Sequence, residues 1–456
     1  MLDKNQPSLD RRLGLFQSTV INMIDMVGIG PFVVLPIVID IIGGPEFIYA
    51  WVVGAILALI DAMIWSELGA AYPMAGGSYN FLLESYGRAK WGKLFSFLYV
   101  WQTCLQAPLV VASGAIGFSQ YLAYLLPIGF YSKKIVSGCV VLFITFLLYR
   151  KIETVGKIGI TLWIGVITTL IWIITGGILN GNMLHPLHEL SNSKPLGWLF
   201  FLALGQASVK TIYSYLGYYN VCHIGGEIIN PQKNIPRSMF ISVIGISILY
   251  MAMNISVVSV IPWQEARHSE FIISSFIEKL YGTFYAKIAT LMVLWVALAS
   301  LFAVMLGYSR IPYAAALEGS FFKIFAKVHP SKHFPYISLL ALGGTAFVFS
   351  LLFRLSEVIT GILAMRILVQ FIGQAIGVVL LRNRKPTSLL KYKMPLYPLP
   401  VILVILIWLL IFISTGFSFM ISGLLVITSG LVAFLIKTFK NKEWPFLASL
   451  NEIGDK

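Results

Sequence analysis

Charge is scarce in this 456-residue chain: 11% of its residues are Asp, Glu, Lys or Arg, against 58% hydrophobic and a mean hydropathy of +0.84. A soluble globular protein carries about 25% charged residues, so a water-surrounded fold is excluded and a bilayer is the expected solvent. Cysteine is as sparse. Cys104, Cys139 and Cys222 all fall inside apolar runs, with neither a disulfide framework nor metal-ligand spacing. His185, His188 and His223 form no metal constellation, so no metal or other cofactor is expected. HExxH, GxSxG and Walker A sequences are missing, which argues against a membrane-embedded enzyme and against direct ATP drive. The formal charge is +14, yet the basic residues are not gathered on one stripe, and nucleic acid is not an expected partner. The first ten residues are polar, and the run that follows has no small-residue cleavage site, so no cleavable signal peptide is expected.

What the chain has is long apolar runs. Spans of about 17–25 residues cross a bilayer. Twelve are read, at roughly 14–41, 47–71, 94–125, 133–149, 157–179, 196–228, 238–261, 285–309, 335–353, 357–381, 398–414 and 417–437. Short interfacial helices are expected within 73–93 and 269–281. Alternate loops hold most of the 33 Lys and Arg; the others hold Lys133, Lys134, Lys194, Arg267, Lys279, Lys287 and Arg354. By the positive-inside rule both termini are cytoplasmic, in a multi-pass protein of the cell membrane with no separate soluble domain.

The first run is broken midway by Gly28-Ile29-Gly30-Pro31. Two glycines and a proline cannot sustain a helix there, and non-helical chain survives at membrane depth only in a cavity or buried in protein. Such a break marks a solute site in secondary transporters. The sixth span carries a counterpart around Gly217, between Tyr213-Ser214-Tyr215-Leu216 and Tyr218-Tyr219-Asn220. A buried glycine that permits close helix packing is the competing reading. Spans one and six head successive five-span groups, as in inverted repeats. Free amides around Gly28 to Phe32 suit a carboxylate, and the carbonyls ending near Ser214 to Leu216 suit an ammonium. Together they describe a receptor for a zwitterion such as an α-amino acid.

Four stretches carry a family resemblance: Gly28-Ile29-Gly30-Pro31-Phe32; Trp65 to Pro73 with Gly76-Gly77-Ser78-Tyr79; Tyr215-Leu216-Gly217-Tyr218 with Gly226 to Pro231 and Ile235-Pro236-Arg237; and Ser309-Arg310-Ile311-Pro312-Tyr313 with Ala316 and Gly319. In this order and spacing the chain resembles the amino acid–polyamine–organocation (APC) superfamily of permeases over most of its length. The resemblance implies an all-α polytopic protein with a LeuT-like 5+5 inverted repeat and discontinuous helices 1 and 6. Residues 13–180 would form the first repeat, 195–382 the second, and 397–438 two peripheral helices, within one permease domain over 1–456. It implies secondary active transport of an amino acid by alternating access, with an exchanger or a polyamine carrier as the alternative. Two departures stand out. Ile29 has no hydroxyl and is bulkier than the Ser or Ala common between the two glycines. The lysine that proton-coupled members often carry in span five is replaced at that depth by Gly165 and Val166, so the coupling ion, H⁺ or Na⁺, stays open.

Substrate contacts are expected from Gly28, Ile29, Gly30, Pro31, Ser214, Tyr215, Gly217 and Tyr218, with Tyr219, Gln102, Gln106 and Ser300 as further candidates. An ionisable group inside a membrane needs a partner or a wet cavity. Asp25 and Lys210 lie on the interrupted helices and are read as site or coupling groups. Asp61 and Arg366 read equally as structural glue. Lys210 is expected to bias the pocket against dibasic solutes, or else to snorkel outward. Glu227 matches the family's acid before the Asn-Pro loop and is expected to help close an inner gate, with Arg12 or Lys157 as partner. The loop at 126–133 lacks cysteine, so no disulfide-linked accessory subunit is expected there.

Overall fold

The computed structural model of the protein describes residues 9–184, 188, 190, 197–353, 355–384 and 390–446; the readings that fall on His185, Lys194 and Arg354 lie outside them. Every named element is helical, and pairing between extended segments is limited to isolated bridges, Leu13 with Ile228 and Ala75 with Ile224. With single-turn pieces left unnumbered, the helices are α1 (Leu15–Met26), α2 (Gly30–Ile42), α3 (Ile48–Ala71), α4 (Ser78–Ser85), α5 (Trp91–Leu122), α6 (Phe130–Leu148), α7 (Ile152–Asn180) and α8 (Trp198–Tyr215). They continue as α9 (Pro231–Val258), α10 (Ile272–Tyr281), α11 (Thr283–Tyr308), α12 (Arg310–Leu317), α13 (Tyr336–Leu352), α14 (Leu355–Arg366), α15 (Gly373–Arg384), α16 (Leu399–Ser414) and α17 (Phe417–Asn441).

Among the described residues eight helices are long and apolar enough to cross a membrane, and the bent pair α1 and α2 makes a ninth. Apolar helices α13 and α16 are shorter. The chain is a multi-pass membrane protein. Its outer surface carries large apolar side chains such as Phe130, Tyr131, Leu179, Trp198, Leu199 and Phe417, as a lipid-facing surface requires. Short helices occupy both stretches expected to hold interfacial ones, α4 within 73–93 and α10 within 269–281.

Both expected interruptions are present. The pair α1 and α2 bends by 42° at Val27 to Ile29. Pro31 sits in the first turn of α2, where its missing N–H costs nothing. In the sixth stretch α8 stops at Tyr215, Leu216 turns extended, and Gly217 adopts φ +121, a left-handed value that favours glycine. A one-turn helix Asn220–His223 and a 3₁₀ turn Gly225–Glu227 follow before α9 begins. Helix α9 packs along α1 and α3, and α2 packs along α8, so both breaks face the same interior.

Two buried ion pairs tie the termini of these helices together. Glu67, at the end of α3, accepts from Arg382 Nε at 2.7 Å, from Arg382 Nη2 at 2.6 Å and from the Met394 amide at 2.7 Å. Glu227 accepts from Arg310 Nη2 at 2.8 Å and Nε at 3.2 Å. Removing one partner of such a pair leaves an uncompensated buried charge, costing about 3–5 kcal/mol. Glu67→Ala is therefore expected to lower the thermal midpoint of the detergent-solubilised protein clearly. An unchanged midpoint would show that the pair does not hold α3 to α15.

Candidate functional site

Gly217 is where the two breaks touch. A Cβ built on it would stand 2.8 Å from the backbone carbon and the carboxyl carbon of Asp25 and from the amide of Met26, so only glycine allows this approach. Gly28 plays the matching part against α11, since a Cβ there would sit 2.6 Å from Ser300 Oγ. Tyr250 of α9 stands behind both segments. Its hydroxyl lies 2.7 Å from the Met26 carbonyl and 3.1 Å from the Ser214 carbonyl, one near the end of each helix. Asn22 of α1 reaches across as well, and its Oδ1 accepts from the Val221 amide at 2.9 Å.

Between the breaks lies a hollow of about 60 Å³. The first break contributes Asp25, Met26, Gly28, Ile29 and Gly30; the second contributes Tyr213, Ser214, Leu216, Gly217 and Tyr219. Ser300 and Tyr308 line it from α11, Val110 and Gly114 from α5, and Ile362 and Arg366 from α14. The first backbone bond of α2 runs from the Val33 amide to the Ile29 carbonyl at 3.2 Å, so the amide of Gly30, at the lining, precedes it and stays available. Ser214 Oγ, buried and without a protein partner among the described residues, would lie 3.3 Å from a Cβ at Gly30. Tyr213 is held by a 2.9 Å hydrogen bond between its hydroxyl and Ser113.

Of the expected substrate residues, Gly28, Ile29, Gly30, Ser214 and Gly217 line this hollow, as do Asp25, Tyr219 and Ser300. Pro31, Tyr215 and Tyr218 do not. Pro31 only starts α2. Tyr215 turns away into an aromatic cluster with Trp51 and Tyr250, at centroid distances of 6.1 and 5.3 Å. Tyr218 bonds through its hydroxyl to Asp61, which also accepts from Trp65 Nε1 at 3.0 Å and does not line the hollow. Lys210 is also absent from the hollow, since the rotation of α8 carries it to Thr360 Oγ1 at 2.7 Å. Gln106 donates to the Tyr308 hydroxyl at 3.1 Å, one layer behind the lining. Glu227 pairs with Arg310 rather than with Arg12 or Lys157. Arg12 gives Glu227 only its backbone amide, while its side chain meets Glu153 at 3.3 Å. Arg366 is the opposite case: the glue reading understates it, because it faces the hollow. An arginine within an apolar run was the visible signal for it. Nothing in the sequence singled out Tyr250 or Asn22.

A family model described as amino acid permease matches residues 13–442. The chain belongs to the amino acid permease family. Similar proteins include the branched-chain amino acid permease BcaP of Bacillus subtilis, 23% identical over 96% of this chain and 95% of that protein. The serine/threonine exchanger SteT of the same bacterium is 25% identical over 87% of this chain and 89% of its own. The mouse Asc-type amino acid transporter 1 is 25% identical over 95% of this chain and 82% of its own.

Gly30→Leu is the substitution that separates the site from the fold. Its side chain would occupy the hollow in front of Ser214 and Tyr213 while α2 keeps its packing. Loss of amino acid binding at a near-normal thermal midpoint is expected in the purified variant. Binding at the wild-type level would mean that the amide cluster is not the receptor.

Proposed function

We propose that this permease is a secondary transporter that moves an amino acid across the cell membrane by alternating access. The single observation that carries the reading is the hollow bounded by both chain breaks. One side of it offers the Gly30 amide and the other the end of α8, where carbonyls carry partial negative charge. An α-carboxylate and an α-ammonium are the pair of groups such ends hold.

The proposal extends to the architecture. Helices fall within all twelve stretches read from the sequence, in keeping with twelve spans and a LeuT-like arrangement of two inverted five-helix repeats, 13–180 and 195–382. Helices α16 and α17, which overlap 397–438, would be peripheral, and α17 leaves most of its surface to lipid. Both termini would be cytoplasmic. In that orientation the Glu227–Arg310 pair, beside the bridge from Leu13 to Ile228, lies on the inner side and helps close it. No cofactor is invoked; H⁺, Na⁺ or a counter-transported solute would supply the drive. Exchange is the second reading, and the similarity to a serine/threonine exchanger favours it. A polyamine carrier fits less well, because a guanidinium lines the hollow.

Uptake of a labelled amino acid panel into proteoliposomes, with and without imposed proton and sodium gradients or internal amino acid, tests the proposal. Saturable, competable flux that responds to one of these conditions is expected. Absence of saturable flux under all of them would refute it.

A further inference from the structure

Arg366 is 1% exposed, yet among the described residues no carboxylate comes within ion-pairing distance of it. Its Nε donates to Gln370 Oε1 at 2.9 Å, and its Nη2 donates to the Tyr219 hydroxyl. Rings of Tyr219, Phe371 and Tyr308 surround it at 5.1, 5.2 and 5.9 Å. No protein acceptor for Nη1 is found among the described residues. A buried guanidinium held by neutral groups on two sides and open to a hollow on the third is half of an ion pair. The hollow's other charged side chain, Asp25, sits on the first break, beside the end of α8.

Resting on the amino acid reading above, we propose that Arg366 binds a carboxylate on the solute's side chain, so that the preferred substrate is an acidic amino acid. The charge pattern leads there. The amide of Gly30 takes the α-carboxylate, and Asp25 with the carbonyl end of α8 takes the α-ammonium. The positive charge of Arg366 then remains, and a second carboxylate neutralises it. A planar guanidinium already fixed by Gln370 and Tyr219 is preorganised for such an acceptor. A side-chain amide is a weaker substitute, an alkyl side chain leaves the cation unpaired, and a second ammonium is repelled. The exclusion of dibasic solutes expected of Lys210 is thereby assigned to Arg366.

Binding of L-glutamate, L-aspartate, L-glutamine, L-leucine and L-lysine to the purified full-length protein, by titration calorimetry and thermal shift, tests this. Glutamate or aspartate is expected to bind at least about tenfold more tightly than leucine, with lysine weakest, the factor being that of a charge-assisted contact. Arg366→Gln is expected to lower the glutamate-to-glutamine affinity ratio by about ten- to a hundredfold, and Arg366→Lys to recover part of it. If Arg366→Gln does not fold, the wild-type ranking and Arg366→Lys decide. Equal wild-type affinities for glutamate and leucine, or an unchanged ratio in either variant, would overturn the inference while leaving the permease reading intact. Binding of none of the five would overturn both.

Discussion

Backbone that leaves the helix in a hydrocarbon surrounding must find partners for its amides and carbonyls, and in this permease two such segments are held in one place. The contact of Gly217 with Asp25 and Met26 sets their separation, and a side chain at that position would push them apart. Tyr250 supplies a hydroxyl to the carbonyls of Met26 and Ser214, and Asn22 caps the amide of Val221 across the gap. Each unpaired group at that depth costs several kcal/mol, so these few contacts decide whether the hollow exists. Beyond those contacts, the Gly30 amide at the start of α2 is what a solute can use.

The ends of the bundle follow a different logic from the middle. Glu67 with Arg382, and Glu227 with Arg310, are buried pairs with short bidentate contacts. Their charges are mutually compensated, and they link helix ends that are distant in sequence. Within the hollow Asp25 and Arg366 have no such compensation from each other at bonding distance. Closed pairs lock packing, whereas Asp25 and Arg366 face a cavity.

Much of this was legible in the residues. Composition identified the bilayer, and glycine and proline placed the first break within a residue of its position because they forbid helix continuation. Gly217 marked the second break for the same reason. Helix rotation was not legible, since a largely apolar span offers no polar face by which to orient it. Lys210 and Arg366 were equally visible as charges inside apolar runs, yet one turns to Thr360 and the other into the hollow. Tyr215 and Tyr218 flank Gly217 in the chain but point away from the cavity, because the extended residue Leu216 and the turn at Gly217 redirect them. Arg310 was part of a recognised motif, though its pairing with Glu227, 83 residues away, depends on tertiary packing alone.

The central claim is that unwound main chain between α1 and α2 and after α8 grips the solute. An experimental structure of the protein with a bound amino acid tests it most directly. The account predicts density in the hollow, with the α-carboxylate at the Gly30 amide and the ammonium toward Asp25 and the carbonyl end of α8. Density confined to the larger opening beside Asp40 and Arg267, with the hollow between the breaks empty, would contradict it.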